Sequence, residues 1–273
     1  MKPGPDAAQA DPAREREEKM SEVEEPPKIV TACVLIIGNE ILSGRIQDAN
    51  LTFLAQGLNE VGVRLREARI IPDDPAAIVA TVNAVREEFD YVFTTGGIGP
   101  THDDITADCV AKAFGVTIDV DPRARALLLT RIAEKDMNEA RLRMARIPKG
   151  ADLILNKVSA APGFRIGNVH VMAGVPTIMQ AMLDEVAPTL KTGIKMLSET
   201  VRANCREGDI GGPLGEIAKA HPDVMIGSYP FQDEGRPNTN LVVRSRDPQK
   251  LAAAKAAVEE MLARVHGSLR QSA

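Results

Sequence analysis

A glycine-rich turn between a strand pattern and a helix pattern constrains the fold of this chain more than any other feature. The turn lies within residues 94–106, which read TTGGIGPTHDDIT. It follows the apolar run at residues 91–93 and precedes apolar residues between positions 105 and 113 at helical spacing. When a strand is followed by a tight turn and then by the first turn of a helix, backbone N–H groups remain free beside the positive end of the helix dipole. The sequence therefore predicts an anion site suited to phosphate at this turn.

Two adjacent carboxylates, Asp103 and Asp104, follow the glycines of this turn. They would repel a phosphate unless a divalent cation such as Mg²⁺ lay between the acids and the phosphate oxygens. We therefore expect both to be metal ligands and catalytic residues. In the structural alternative, an aspartate only caps the helix, which stabilises it by about 1 kcal/mol, and the glycines only permit positive φ. The segment has neither the Lys-Ser/Thr of a Walker A loop nor a GxGxxG dinucleotide fingerprint.

Strand and helix patterns alternate from residue 29 to about residue 190. The nearly unbroken apolar run at residues 30–37 predicts a strand that is buried on both faces. Asp74-Pro75 and Asp121-Pro122 are typical helix starts, and the second precedes a longer helical stretch. Repeated β-α units predict an α/β fold with a doubly wound, mostly parallel sheet.

After residue 190, short strand and helix patterns follow in the order β-α-β-β-α, which predicts a small α+β module. The first 27 residues contain 8 acidic and 4 basic side chains and no apolar periodicity, so they predict a disordered acidic tail. The predicted organisation is thus a tail at residues 1–27, an α/β domain at 28–192 and a module at 198–268. Met20 is an alternative start that the sequence leaves open.

Ligands of parallel sheets collect at the carboxyl ends of the strands, so the loops at residues 38–50, 94–104 and 173–176 are expected to meet. In the first loop, Glu40 and Asp48 are candidate catalytic residues that could complete the metal shell or orient the nucleophile. The alternative is that Asp48 or Asn50 caps the following helix. The candidate ligand contacts of the three loops are Gly38, Ser43, Gly44, Asn50, Thr95, Gly96, Gly97, Gly99, Pro100, Thr101, Gly174 and Pro176.

The composition excludes several partners. The formal net charge is −5, and the chain beyond the acidic tail is close to neutral, so no nucleic-acid partner is expected. No apolar run approaches the ~20 residues that span a bilayer, so no membrane partner is expected. The three cysteines match no metal or redox spacing. An odd number of cysteines without a recognisable signal peptide favours a cytoplasmic location.

Several motifs resemble those of a known family. GNEILSG at residues 38–44, DAN at 48–50 and TTGGIGPTHDDIT resemble the molybdopterin-binding domain family. NKVSAAPGF at residues 156–164 and AGVP at 173–176 are most similar to its competence/damage-inducible branch. The segments EGDIGGPLGEIA and VMIGSYP of the small module resemble the region that follows the domain in that branch.

The resemblance implies a homo-oligomer that binds a small-molecule pterin, such as molybdopterin, or a nucleotide together with a divalent metal. It implies metal-dependent hydrolysis of a dinucleotide pyrophosphate such as ADP-ribose as the leading function. Adenylylation of molybdopterin is the enzymatic alternative, and pterin or nucleotide binding without turnover is the third. Ala173 stands where the branch usually has proline, so a looser turn is expected there. The deamidase domain that often follows in the branch is not expected within this chain, and deamidase activity is therefore not transferred.

Overall fold

The computed structural model describes residues 29–271. The predicted acidic tail at residues 1–27 and the alternative start at Met20 lie outside the described residues. Two successive units follow along the chain, each with its own sheet and its own apolar core.

The larger unit alternates strands and helices. Its strands are β1 (Val30–Ile37), β2 (Val63–Ile71), β3 (Tyr91–Thr95), β4 (Ile118–Val120), β5 (Arg146–Pro148), β6 (Asp152–Ile154), β7 (Gly163–Ile166) and β8 (Val169–Met172). Its helices are α1 (Asn39–Leu42), α2 (Asn50–Glu60), α3 (Pro75–Glu88), α4 (Thr106–Phe114), α5 (Pro122–Leu129), α6 (Glu139–Arg143) and α7 (Pro176–Val186), with 3₁₀ turns at Glu134–Asp136 and Ala187–Thr189.

The main sheet has the strand order β2-β1-β3-β8-β7-β6. The first four of these strands pair in parallel, which confirms the predicted doubly wound α/β fold. Strand β7 pairs antiparallel with β8, and β6 pairs antiparallel with β7; neither of these two strands was predicted. Strands β4 and β5 form a separate antiparallel ladder that was not predicted either. These unpredicted strands have only three or four residues each, too few for periodicity to distinguish a strand from a loop.

Strand β1 is covered on both faces, as its apolar run predicts. Cys33, Leu35 and Ile37 pack into one core cluster with α3, α4 and α5. The alternate residues Val34 and Ile36 pack into a second cluster with α2 and α7. Because successive strand side chains point to opposite faces, this division places one helical layer on each side of the sheet.

Both Asp-Pro helix starts form as predicted. Asp74 Oδ1 accepts a hydrogen bond from the Ala77 amide at 2.8 Å, and Asp121 Oδ1 accepts one from the Arg123 amide at 2.8 Å. The prediction of a longer helix after Asp121-Pro122 was wrong, because α5 ends at Leu129. The Thr130 hydroxyl binds the Leu127 carbonyl at 2.7 Å there, a side-chain bond that competes with helix continuation.

The smaller unit has the predicted β-α-β-β-α order. Its elements are β9 (Leu197–Arg202), α8 (Glu207–Ala220), β10 (Met225–Asp233), β11 (Arg236–Ser245) and α9 (Pro248–Gln271). The antiparallel sheet has the order β10-β11-β9. Its two later strands are longer than predicted, because the tight turn at Glu234 and Gly235 extends their ladder through polar residues such as Tyr229 and Asn240.

Within residues 29–271, no helix combines the length and the apolar composition needed to cross a bilayer.

We expect the three cysteines to resist thiol reagents in the native protein. All three are buried. Mainly because of this burial, the pKa values of the Cys33 and Cys109 thiols are raised to about 11. A thiol with that pKa is ionised at pH 8 to only about one part in a thousand, and the thiolate is the reactive form. Labelling with a disulfide reagent at pH 8 should be slow until denaturant is added, when all three thiols should react. Rapid labelling of Cys33 in the native protein would contradict this burial.

Candidate functional site

The loops that follow β1, β3 and β8 meet at one edge of the sheet, as predicted. They surround a crevice of about 550 Å³. The predicted residues that line it are Glu40, Asp48, Asn50, Gly96, Gly97, Gly99, Pro100, Asp104, Gly174 and Pro176. The carboxyl ends of three parallel strands therefore form one candidate site, at the position where ligands bind in such sheets.

The glycines of the turn allow direct contact between the backbones of neighbouring strand ends. The Gly96 amide donates to the Met172 carbonyl at 3.2 Å, which joins the end of β3 to the end of β8. Gly96 has φ of 102°, and a Cβ there would overlap the Ile37 carbonyl oxygen at the end of β1. A Cβ at Gly174 would lie 3.2 Å from the Gly96 Cα. Glycine is thus required here both for its conformation and for the close approach.

The turn is also fixed to the start of α4. The Gly97 carbonyl accepts a hydrogen bond from the Thr106 amide at 2.9 Å. A Cβ at Gly97, where φ is 68°, would overlap the Thr106 hydroxyl oxygen. Among residues 29–271, no acceptor pairs with the amide N–H groups of Gly97, Ile98 and Gly99. Three successive residues of the crevice wall therefore have free backbone donors, which is the arrangement that binds phosphate oxygens.

Asp104 folds back over the glycine turn. Its Oδ2 accepts hydrogen bonds from the Thr101 amide at 2.8 Å and from the Thr101 hydroxyl at 2.5 Å. A Cβ at Gly99 would lie 2.6 Å from Oδ2 and 3.0 Å from Oδ1. Gly99 is therefore the residue that leaves room for the Asp104 carboxylate at the crevice, beside the free amides.

The predicted pairing of Asp103 with Asp104 at the site does not form. The Asp103 side chain is 63% exposed and is not among the residues that line the crevice. The Nδ1 of His102 lies 3.9 Å from Asp103 Oδ1, and the His102 side chain is 98% exposed. A contact with the Thr101 side chain lowers the pKa of the Asp103 carboxyl, which is a solvated charge. Asp104 is drawn inward by its bonds to Thr101, and the neighbouring side chain of the turn points to solvent instead.

The loop after β1 contributes two further carboxylates to the crevice. Glu40 lies over Gly38, where a Cβ would be 2.5 Å from one carboxylate oxygen and 2.8 Å from the other. Asp48 lines the crevice and also accepts a hydrogen bond from the Leu51 amide at 2.9 Å through Oδ2. The helix-capping alternative therefore applies to Asp48, but it engages only one of the two carboxylate oxygens.

Asn50 joins the first and third loops instead of capping a helix. Its Nδ2 donates to the Gly174 carbonyl at 2.8 Å. The residue is 5% exposed, and its Oδ1 is buried with no hydrogen-bond partner among the described residues. A buried amide oxygen without a partner is costly. Asn50 therefore fixes the third loop to the first at the wall of the crevice.

Five other predicted contacts do not line the crevice. Thr95 is the last residue of β3 and is buried. Thr101 is exposed and binds Asp104. Ser43 is exposed, and its hydroxyl donates to the Glu40 carbonyl at 3.2 Å. Gly44 is exposed, and Gly38 lies beneath Glu40. None of these five residues is among those that line the crevice.

Apolar side chains form the remaining wall and were not predicted. These residues are Ile41, Ile46, Ile98, Leu128, Ile132, Met144, Val175, Ile178 and Met182. Ile46 and Val175 are more than half exposed, at 53% and 54%. The sequence signal that could have predicted this wall is the presence of large apolar side chains within otherwise polar loops. A crevice with one polar edge and one apolar wall suits a ligand that combines phosphate with a flat ring.

The carboxylates fit a divalent ion that binds together with a phosphate. Both oxygens of Glu40, Oδ1 of Asp48 and Oδ1 of Asp104 have no hydrogen-bond donor among the described residues. Within residues 29–271, no group of three or more His, Cys, Asp or Glu side chains is close enough together to hold a metal ion. Mg²⁺ is usually held by one or two carboxylates, waters and substrate phosphates. This donor set agrees with that mode of binding.

Comparisons with known proteins divide the chain into two matched segments. The family described as "Probable molybdopterin binding domain" matches residues 33–192. The family described as "FAD synthase, middle domain" matches residues 195–266, a relationship that the sequence patterns did not predict.

Relatives span both segments. A probable FAD synthase of Caenorhabditis elegans is 32% identical over 263 residues, which cover 87% of this chain and 51% of the worm protein. A CinA-like protein of Myxococcus xanthus is 30% identical over 241 residues, which cover 83% of this chain and 57% of that protein. The chain thus spans about half the length of these two relatives. A protein of Archaeoglobus fulgidus is 34% identical, with coverage of 84% of this chain and 96% of its own length.

A solved structure supports the fold of the larger unit. The crystal structure of CinA from Thermoplasma acidophilum, described as a protein of unknown function, matches with a TM-score of 0.56 at 33% sequence identity. The match covers 59% of this chain and 98% of that one.

Replacement of a turn glycine should destabilise the protein, whereas replacement of a helix glycine should not. We expect Gly97→Ala to lower the free energy of unfolding by about 1–3 kcal/mol, because it combines a positive φ with overlap at Thr106. Gly212→Ala in α8 meets no atom within 4 Å and should raise that free energy by about 0.5–1 kcal/mol. Urea unfolding followed by circular dichroism measures both changes. Equal effects of the two substitutions would contradict the packing described for the turn.

Proposed function

The chain belongs to the molybdopterin-binding domain family, and from this premise we propose that its crevice binds a nucleotide pyrophosphate together with a divalent metal and hydrolyses it. The proposed substrate is a dinucleotide such as ADP-ribose or FAD. The products are two monophosphates, one of them AMP.

One observation carries the proposal: three free amides and three carboxylates line the same crevice. The amides of Gly97, Ile98 and Gly99 are donors for phosphate oxygens, and the carboxylates of Glu40, Asp48 and Asp104 are hard oxygen ligands. Amides alone would bind a phosphate, and carboxylates alone would repel it. Their juxtaposition favours an anion that binds with a cation.

The chemistry is the attack of a water oxygen on one phosphorus atom, with cleavage of the bond to the bridging oxygen. When it is bound, a divalent metal supplies Lewis-acid polarisation of the phosphoryl group and a more acidic water. The amides of the turn would stabilise the charge that accumulates on the non-bridging oxygens. Their positions are fixed in advance, since Gly96 and Gly97 are anchored to β8 and α4.

Carboxylates of the crevice would orient the water and the ion, with no more than two of them on the ion. The Oδ1 of Asp104 would be the ligand to the ion, because Thr101 donates to Oδ2. Neither carboxylate oxygen of Glu40 has a hydrogen-bond donor within residues 29–271, so Glu40 would make a second contact to the ion or to the attacking water. Asp48 keeps one free oxygen while it caps α2. The water's protons pass to solvent or to the departing phosphate, so no further reactant is needed.

The apolar wall supports a substrate that carries a flat ring in addition to its phosphates. Ile178 and Met182 of α7 and Leu128 of α5 provide this surface. Relatives described as probable FAD synthases contain both matched segments. For this reason FAD is included as a candidate substrate beside ADP-ribose.

Substitution of Asp104 and of Asp103 should have unequal effects on turnover. We expect Asp104→Asn to lower kcat/KM for the substrate by about a hundredfold, because a neutral amide is a poor ligand for a hard cation. Asp103→Asn removes the same charge from the adjacent residue and should change kcat/KM less than about threefold, since that side chain is outside the crevice. Release of AMP, separated chromatographically, is the measurement. Equal losses in the two variants would contradict the assignment of Asp104.

Removal of divalent metal should abolish turnover without unfolding the protein. We expect AMP release to stop in excess chelator and to return with added Mg²⁺, because the ion completes a site that the protein alone does not close. The melting temperature of the ligand-free protein should be unchanged in chelator. Undiminished turnover under those conditions would exclude the metal.

A substrate panel separates the proposed reaction from its alternatives. The protein is incubated with ADP-ribose, with FAD, and with ATP plus molybdopterin, each with and without Mg²⁺. AMP from either dinucleotide supports hydrolysis, and an adenylylated pterin in the third reaction identifies an adenylyltransferase instead. Tight binding without any product identifies a binding protein. Assembly into a homo-oligomer remains a prediction that does not affect this comparison.

A further inference from the structure

A second groove lies at the opposite edge of the main sheet, where the larger unit meets the smaller one. It has a volume of about 450 Å³, comparable to that of a small-molecule site. Its wall on one side is the start of β2 and the end of α2, and on the other side the sheet of the smaller unit. Strand β2 has nine residues, so its two ends are about 25–30 Å apart. This groove is therefore separate from the crevice at the carboxyl ends of the strands.

Three arginines line this groove: Arg64, Arg244 and Arg246. None of them forms an ion pair with a carboxylate in the part of the chain that the structure describes. Seven other arginines within residues 29–271 do form such an ion pair, as Arg146 does with Asp108 at 2.7 Å. Burial and then the positive charge of Arg64 lower the pKa of Arg246, so the two guanidinium groups repel each other. An unneutralised cluster of this kind is a cost to the folded protein that a bound anion would remove.

The arginines are held in place by the structure around them. Arg244 pairs with Met225 on one neighbouring strand and with Ser198 on the other, so these three residues form a row across the sheet. Arg246 follows the end of β11, and its Nε donates to the Ile194 carbonyl at 3.3 Å. Arg64 lies at the start of β2. Just before this strand, the Gly62 carbonyl accepts a hydrogen bond of 3.3 Å from the Gly193 amide.

The remaining lining supplies both polar donors and apolar surface. Asn59 and Gln56 lie on one face of α2, and Asn59 Nδ2 binds the Met196 carbonyl at 3.5 Å. Met196 and Leu65 add apolar surface to the groove. A ligand with one strongly anionic end and a less polar body would contact all of these groups.

We propose that this groove is a second ligand site, which binds a phosphate-bearing small molecule of mononucleotide size through Arg64, Arg244 and Arg246. Phosphate is favoured over a carboxylate because a doubly charged group matches a cluster of three cations, and planar guanidinium groups bind its oxygens in pairs. A small molecule is favoured over a nucleic-acid strand because the groove has a volume of only about 450 Å³, and the chain as a whole has a net charge of −5.

Equilibrium dialysis of the full chain with labelled AMP, and in a parallel arm with inorganic phosphate, tests the site. The decisive variant is R64Q/R246Q, and the matched control is Arg66→Gln, an exposed arginine of the same strand outside the groove. We expect R64Q/R246Q to weaken one AMP-binding event per chain by at least about tenfold, as loss of charge-assisted hydrogen bonds predicts. The control should bind AMP as the wild type does. The melting temperature without AMP should not fall in R64Q/R246Q, whereas the AMP-induced rise should shrink.

The outcomes are distinguishable from those of the proposed reaction. Turnover of ADP-ribose should be retained in R64Q/R246Q, because the groove is remote from the crevice. Conversely, AMP binding could be lost in R64Q/R246Q and retained in Asp104→Asn. That result would support the groove as a ligand site even if the protein hydrolyses no substrate. Identical AMP binding in the wild type and R64Q/R246Q would overturn the proposal. Binding of an oligoribonucleotide more than tenfold tighter than AMP, with the same dependence on both arginines, would overturn the assigned ligand class.

Discussion

The central physical constraint is direct backbone contact among three strand ends. No side chain separates the backbones of Ile37, Gly96 and Gly174. A Cβ at Gly96 would overlap the Ile37 carbonyl oxygen, and a Cβ at Gly174 would press on the Gly96 Cα. This contact brings the loops after β1, β3 and β8 around one space. It also directs the chain after Gly96 away from the sheet, so that three amides have no acceptor among residues 29–271. The crevice is therefore a consequence of how the sheet ends, and helices pack on both faces of that sheet.

Charges at the two edges of the sheet are arranged in opposite ways. At the carboxyl edge, carboxylates surround free amides, an arrangement that is neutralised by a cation and a phosphate together. At the amino edge, three arginines face a groove without a carboxylate partner among the described residues. We propose that both edges bind phosphate, but by different means. On these proposals a nucleotide occupies two places on one chain, and metal is required at only one of them.

The sequence predicted those parts of the structure that depend on local or periodic signals. The buried β1, the two Asp-Pro helix starts and the meeting of three loops follow from burial on both faces, capping and parallel topology. The short antiparallel strands β6 and β7 lack enough residues to show a period. Asp103 and Asp104 were expected to act together because they are adjacent in the sequence. Adjacent side chains in a turn need not point the same way, however, and the hydrogen bonds to Thr101 bring only Asp104 towards the crevice. The arginine groove depends on contacts between residues about 180 positions apart, which no local pattern contains.

The claim that Asp104 and the glycine turn bind a cation and a phosphate as one unit is tested most directly by anomalous diffraction. Crystals grown with AMP and Mn²⁺ should show a metal peak about 2.1 Å from an Asp104 carboxylate oxygen and from a phosphate oxygen. Another oxygen of the same phosphate should lie about 2.9 Å from an amide nitrogen of Gly97, Ile98 or Gly99. A metal bound only at Asp103, or a phosphate in the crevice that contacts neither the metal nor these amides, would contradict the account.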